Sequence, residues 1–115
     1  MEFSCEYQFE ELEIEVNGVF FGCFNGTAEL VEDSGYGTFW VKAICLDGQK
    51  ETNKPSVLRP WRKERESASI ALDRPAYGQR PDTLSEHLFD ALEKALYRSD
   101  AASEFFHAQF AEVAA

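Results

Sequence analysis

The sequence predicts an α+β fold: an antiparallel β-meander of four to six strands, packed on one face by two C-terminal helices. Three observations carry this prediction. Apolar residues alternate through residues 1–48, with Asn-Gly pairs between the runs. All four prolines fall within residues 49–81. Leucines recur at every fourth position from Leu84 to Leu96, behind a helix-start signal. At 115 residues, with 44% hydrophobic and 14% aromatic content, the chain fits a single domain, 1–115, around one core.

Phe3, Cys5, Tyr7 and Phe9 alternate with the period of a strand. The apolar positions then shift to Leu12, Ile14 and Val16, which demands a bulge near Glu10 and Glu11. Asn17-Gly18 suits a type I′ turn, because both central residues need positive φ. Asn25-Gly26 repeats the signal and predicts a second hairpin. "TAELVED" is the next strand, "SGYG" a looser four-residue turn, and "TFWVKAICL" the last strand of the meander, closed at Asp47-Gly48. Residues 49–81 read as a basic, proline-containing irregular connection, with 67–73 as an edge strand. Residues 82–115 form a helical tail. Thr83 and Glu86 make a capping box. Leu84, Leu88, Leu92 and Leu96, with Phe89, give one apolar helix face. Arg98-Ser99-Asp100 separates a second helix, whose stripe is Phe106, Phe110 and Val113.

Two-residue hairpins fix register, so the sheet can be drawn. Ile14 faces Phe21, Leu12 faces Cys23, Cys23 faces Ala28, Leu30 faces Val41 and Ala28 faces Ala43. This is the core face, and it takes Cys23 and Cys45 inside as small hydrophobes. The opposite face carries three rows: Glu13, Gly22, Glu29, Lys42; Glu15, Phe20, Val31, Trp40; and Glu11, Phe24, Thr27, Ile44. Acids stand there beside an aromatic-aliphatic strip. Three readings compete: a solvated face with scattered apolar residues, a docking surface, or a surface covered by residues 49–81. Repulsion within the acidic row is relieved by Lys42 beside Glu29, or by "RPWRKER" (59–65) lying against it.

The formal net charge of -10 divides into -9 over residues 1–48, +4 over 49–81 and -5 over 82–115. The overall balance argues against gripping a nucleic-acid backbone or an anionic membrane, both of which call for Lys and Arg. It favours a basic partner. "MEFSCEYQFEE" is acidic and lacks the apolar stretch of a signal peptide, and no run reaches transmembrane length. Cys5, Cys23 and Cys45 fit neither a zinc pattern nor a disulfide framework, so a reducing, cytoplasmic setting is expected. His87 and His107 read as helix-surface residues without metal spacing. "NGVFFGCFNG" reads as hairpins, not as a phosphate loop. Cysteines on the core face offer no nucleophile. No acid/base constellation is recognisable, so neither enzyme activity nor a cofactor or metal is expected.

The expected function is that of a non-enzymatic, acidic protein-binding module. Its partner-binding residues are Glu11, Glu13, Glu15, Glu29, Phe20, Phe24 and Trp40, set against the basic surface of a larger host protein or nucleoprotein complex. Alternate strand residues lie about 6.6–6.8 Å apart, close to the phosphate spacing of one nucleic-acid strand, so evenly placed carboxylates mimic phosphates. In size and layout the chain resembles small proteins carried by phages and mobile elements, a resemblance that transfers no residue roles. The concrete form of this reading is an inhibitor of a nucleic-acid-handling machine, anti-CRISPR-like or a DNA mimic. The alternative is a structural or assembly accessory, homodimeric through a Phe20–Trp40 patch.

Overall fold

Six elements follow one another in the computed structural model, which describes residues 3–33, 38–76 and 78–114: β1 (Ser4–Val16), β2 (Val19–Asp33), β3 (Thr38–Pro55), β4 (Lys63–Ala71), α1 (Leu84–Arg98) and α2 (Asp100–Ala114). The strands make one antiparallel sheet in the order β1-β2-β3-β4, and the helices pack on one of its faces. The α+β fold expected from sequence is the fold observed. Four strands fall within the four to six expected, and they are longer than the sequence pattern suggests.

The first hairpin forms as the sequence indicates. Asn17 and Gly18 take φ of 53° and 78°, the type I′ requirement, and Val16 pairs with Val19. The bulge forms as well. Phe9 pairs with Gly26 and Leu12 with Phe24, which leaves Glu10 and Glu11 opposite Asn25 alone. Glu11 sits at φ 51°, a left-handed conformation that costs a non-glycine residue about 1–2 kcal/mol. The Asn25 side chain offsets this, its Oδ1 accepting the Glu11 N–H at 2.7 Å.

Asn25-Gly26 is therefore not a turn. It lies inside β2, and the side-chain carbonyl of Asn25 serves the bulge on β1. The parity switch that suggests a hairpin comes instead from a second irregularity. Ile14 pairs with Gly22 and Glu15 with Phe20, so Phe21 is an extra residue and Phe24 turns to the core side. A third irregularity lies between β2 and β3. Glu29 pairs with Ala43 and Leu30 with Val41, leaving Lys42 unpaired in the ladder. Beyond it Ile44 and Leu46 face the core, whereas Ala43 and Cys45 are exposed. The expected pairs Ile14–Phe21, Leu12–Cys23, Cys23–Ala28 and Ala28–Ala43 are not made. Leu30–Val41 is made. The "SGYG" turn lies outside the described residues.

Cys23 and Cys45 are accordingly exposed, contrary to the expectation that both are buried, and Cys5 is half-buried. Burial pushes the Cys5 thiol up, which further slows its reaction because the thiolate is the nucleophile. Two fast thiols and one slow one are expected on titration with a thiol reagent in the native state. A single fast thiol would restore a core position to Cys23 or Cys45.

Residues 49–81 are not an irregular connection. β3 runs through Asp47-Gly48 to Pro55, and β4 returns as an edge strand from Lys63, earlier than the 67–73 expected. Among the described residues, β2 pairs only with β1 below Gly26, and β3 pairs only with β4 beyond Leu46. The sheet thus forks at the Gly26–Leu46 rung. One prong, the β1–β2 hairpin, lies under α1. The other, β3–β4, is a free arm whose residues are nearly all exposed from Asp47 to Ala71. The radius of gyration is 17.0 Å, against about 13 Å for a compact chain of this size.

The core joins Phe9, Ile14, Leu30, Val41 and Ile44 of the sheet to Phe89, Leu92, Leu96 and Phe106 of the helices. The Thr83–Glu86 capping box is present in both its halves and starts α1. Four-residue steps rotate about 40° each around a helix of 3.6 residues per turn. A leucine row of that spacing drifts off the buried face. Leu92 and Leu96 are fully buried, Leu88 is half-buried and Leu84 is exposed. Ser99 ends α1 and starts α2, its Oγ accepting the Ala102 N–H at 3.2 Å.

After β4 the chain follows the open edge of β3. The Leu72 N–H donates to the Ile44 carbonyl at 2.9 Å. The Arg74 guanidinium donates to the Val41 carbonyl and pairs with Glu93 of α1 at 3.6 Å. It also lies over the rings of Trp40 and Phe89, at 5.2 and 5.5 Å from their centroids. Burial holds the Glu93 carboxyl above the usual range, against the opposing pull of Arg74. Arg74→Ala removes that pull and lifts it further. A carboxyl with a raised folded pKa takes up a proton on folding, so its contribution to stability is lost as pH rises through that pKa. Thermal melts should therefore show a deficit for Arg74→Ala at neutral pH that narrows on acidification as Glu93 protonates. A deficit of constant size would mean that Glu93 is not the group left unpaired.

Candidate functional site

β1 carries five acids, Glu6, Glu10, Glu11, Glu13 and Glu15, and no base. It is an edge strand, with β2 on its inner side and, among the described residues, no strand on its outer side. All five acids are exposed. The ion pairs among the described residues are Lys50–Glu66, Arg74–Glu93 and Lys94–Asp90, and none of the five takes part in them.

The bulge concentrates these acids. Glu10, Glu11, Glu13 and Glu15 line a cleft of about 470 Å³ between β1 and the junction of α1 with α2. Tyr7, Phe9 and Leu12 contribute apolar surface to it, and Ala95 closes it from α1. Arg98 stands at the margin, its Nε donating to the Lys94 carbonyl at 3.3 Å. Four glutamates and one cation, Arg98, thus line the cleft among the described residues. The cleft also lies beside an unpaired strand edge, whose free N–H and C=O groups are able to accept an extended segment.

Three of the seven expected partner-binding residues, Glu11, Glu13 and Glu15, come together in this cleft. The other four do not join them, because the rows drawn through a hairpin at Asn25-Gly26 are not made. Glu29 is half-buried and pairs across the sheet with Glu6 and Ala43. Lys42 makes no ion pair with it among the described residues. Phe20 is exposed near the end of the β1–β2 hairpin, opposite Glu15. Val31 and Trp40 pair with each other toward the other end of the sheet. Phe20 and Val31 share one strand and lie roughly 35 Å apart at about 3.3 Å per residue, so no continuous Phe20–Trp40 patch exists. Trp40 is half-buried with Arg74 over its ring, so this residue of the 49–81 segment covers part of that face, as in the third of the three readings. Phe24 and Ile44 pack with the core, away from that face.

Two members of the site are not evident from sequence. Glu10 falls at the break between two apolar runs, and the bulge is what turns it into the cleft. Arg98 falls within a helix interruption. The segment "RPWRKER" does not lie against the acids. It sits at the far end of the free arm and the start of β4. Among the described residues no three His, Cys, Asp or Glu side chains converge to hold a metal ion, and no helix is long and apolar enough to cross a membrane. Comparison with protein-family models, with curated proteins and with solved structures gives no match to this chain.

Proposed function

We propose that this chain is a non-enzymatic protein-binding module whose acidic cleft receives a basic segment of a larger protein. The observation that carries the reading is the cleft along β1, with four glutamates outside any ion pair among the described residues and an open strand edge beside them. A partner that presents Lys and Arg on an extended segment would meet charge and backbone complementarity together. A nucleic-acid-binding surface of a host complex has that chemistry, so an inhibitor that covers such a surface is the concrete form of the proposal. The bulge bears on how the acids would act. Glu13 and Glu15 keep alternate spacing, whereas Glu11 leaves the extended conformation. That arrangement favours a charged cleft over an even ladder of phosphate mimics.

The test is a combined Glu11→Gln, Glu13→Gln, Glu15→Gln variant, with Glu29→Gln as a control outside the cleft. The three cleft side chains are exposed, so stability should stay within about ±0.5 kcal/mol of the parent. A basic partner is first isolated by pull-down at low and high salt, and its binding kinetics are then measured. The triple variant should associate about tenfold or more slowly at low salt, because surface charge steers encounter. Glu29→Gln should associate at nearly the parent rate. Equal on-rates for parent and triple variant at low salt would dispose of the proposal.

A further inference from the structure

We infer that the tip of the β3–β4 arm docks into an apolar groove on a second copy of this chain, so that copies associate head to tail. This goes beyond the function proposed above: it shares Glu15 and the acidic edge of β1 with that reading, but its anchors, Leu58, Trp61 and Phe21, lie outside the acidic cleft. The arm ends in a knob. Residues 54–63 hold four bases, Lys54, Arg59, Arg62 and Lys63, and no acid. Leu58 is 90% exposed and Trp61 77% exposed. The tip is held by its own backbone, Ser56 N–H donating to the Arg62 carbonyl at 2.7 Å and Arg62 N–H to the Arg59 carbonyl at 2.8 Å. An ordered turn that presents an aromatic ring and an aliphatic chain to solvent has the character of a binding anchor.

The complementary surface is on the other prong of the fork. A groove of about 460 Å³ lies between the end of the β1–β2 hairpin and α1. Its apolar wall is Ile14, Val16, Phe21, Leu84, Leu88 and Ala91. Phe21 and Leu84 are 63% and 73% exposed, so none of the described residues of the same copy fills it. Glu15 stands on its rim and continues into the acidic edge of β1, while Asp90 is held by Lys94 at 2.9 Å.

Charge selects the occupant. The tip stands roughly 25 Å beyond the fork, at about 3.3 Å per residue from Asp47 to Pro55. That exceeds the Debye length of about 8 Å, so the acids of its own body leave it locally positive. A second copy supplies what it lacks: an apolar groove for Trp61 and Leu58, and unpaired glutamates for its cations. Both exposed apolar surfaces are covered in one step. Nucleic acid fits less well, because a phosphate backbone would answer the cations but give the exposed Leu58 no apolar wall. The two surfaces are different patches, so the contact is heterologous and each row of copies keeps one free knob at one end and one free groove at the other.

That asymmetry gives the test. The parent is followed by sedimentation velocity at low salt over rising concentration, together with Trp61→Ala and Phe21→Ala. Both side chains are exposed, and thermal melts check that each variant folds as the parent does. The parent should grow in mass with concentration. Each variant alone should associate at least about tenfold more weakly, as loss of an interface anchor does. An equimolar mixture of the two should form dimers and stop there, since Trp61→Ala keeps an intact groove and Phe21→Ala an intact knob. A parent that stays monomeric, a single variant that associates like the parent, or a mixture that stays monomeric would each overturn the inference. Salt-sensitive binding of duplex DNA by a monomeric parent, lost in Trp61→Ala, would assign the tip to nucleic acid instead and overturn it too. Trp61→Ala leaves every β1 glutamate in place, so at concentrations where the parent is monomeric it should bind a basic partner as the parent does, and the two readings fail separately.

Discussion

Phe106→Ala is expected to lower stability by about 3–5 kcal/mol, the usual cost of truncating a buried phenylalanine. Phe106 is fully buried on α2. Its ring lies 5.7 Å from that of Phe3, 5.4 Å from Phe39 and 6.1 Å from Phe110. Phe39 in turn lies 5.7 Å from Tyr97 of α1. One side chain therefore links the start of the sheet, the start of β3 and both helices. Rigid rings do not collapse readily into a gap, so most of the cavity would remain. Urea denaturation should show a lower midpoint with little change in slope, because the surface exposed on unfolding is nearly the same. Val113→Ala on the same helix is the control: Val113 is exposed, and its change should stay within about ±0.5 kcal/mol. Similar small effects from both would mean that α2 does not depend on the aromatic cluster for docking.

The parts of this fold that are legible in the sequence are those governed by local chemistry. Asn17-Gly18 is a turn because both residues must take positive φ there. Thr83 and Glu86 cap α1 because two side chains answer two orphan N–H groups. Phe89, Leu92, Leu96 and Phe106 show their burial through helical spacing. The misplaced strand pairs share one cause. A two-residue turn and a one-residue bulge each switch which residues face the core, and alternation alone does not separate them. A turn at Asn25-Gly26 would split β2 in two and fold Phe20 back toward Trp40. Residues 49–55 carry no apolar alternation because an arm that is solvated on both faces needs none. The acids differ again. Glu11, Glu13 and Glu15 are visible as a group, but the cleft that gathers them depends on how Asn25 stabilises the bulge from another strand.

Gly26→Ala is the second large effect expected, about 1–3 kcal/mol or more, the range for overpacking a filled site. A methyl at Gly26 would lie 2.9 Å from Phe9 Cζ, 3.2 Å from Leu46 Cα, and closer still to the Cys45 carbonyl oxygen. Two of these three neighbours are backbone atoms of β3. The third belongs to a ring that is almost fully buried and has nowhere to move. Relief requires the Gly26–Leu46 rung to open, and that rung is the base of the fork. The damage should be local as well as global: amide exchange should accelerate at Cys45 and Leu46 before it does in α1. Gly48→Ala separates this cause from the ordinary effect of adding a methyl to a strand. A methyl at Gly48 would meet no atom within 4 Å, and the φ of Gly48 is not positive, so its change should stay within about ±0.5 kcal/mol. If the two alanine variants proved equally stable, β2 and β3 would not close at this rung, and Asn25-Gly26 would keep the turn that its sequence suggests.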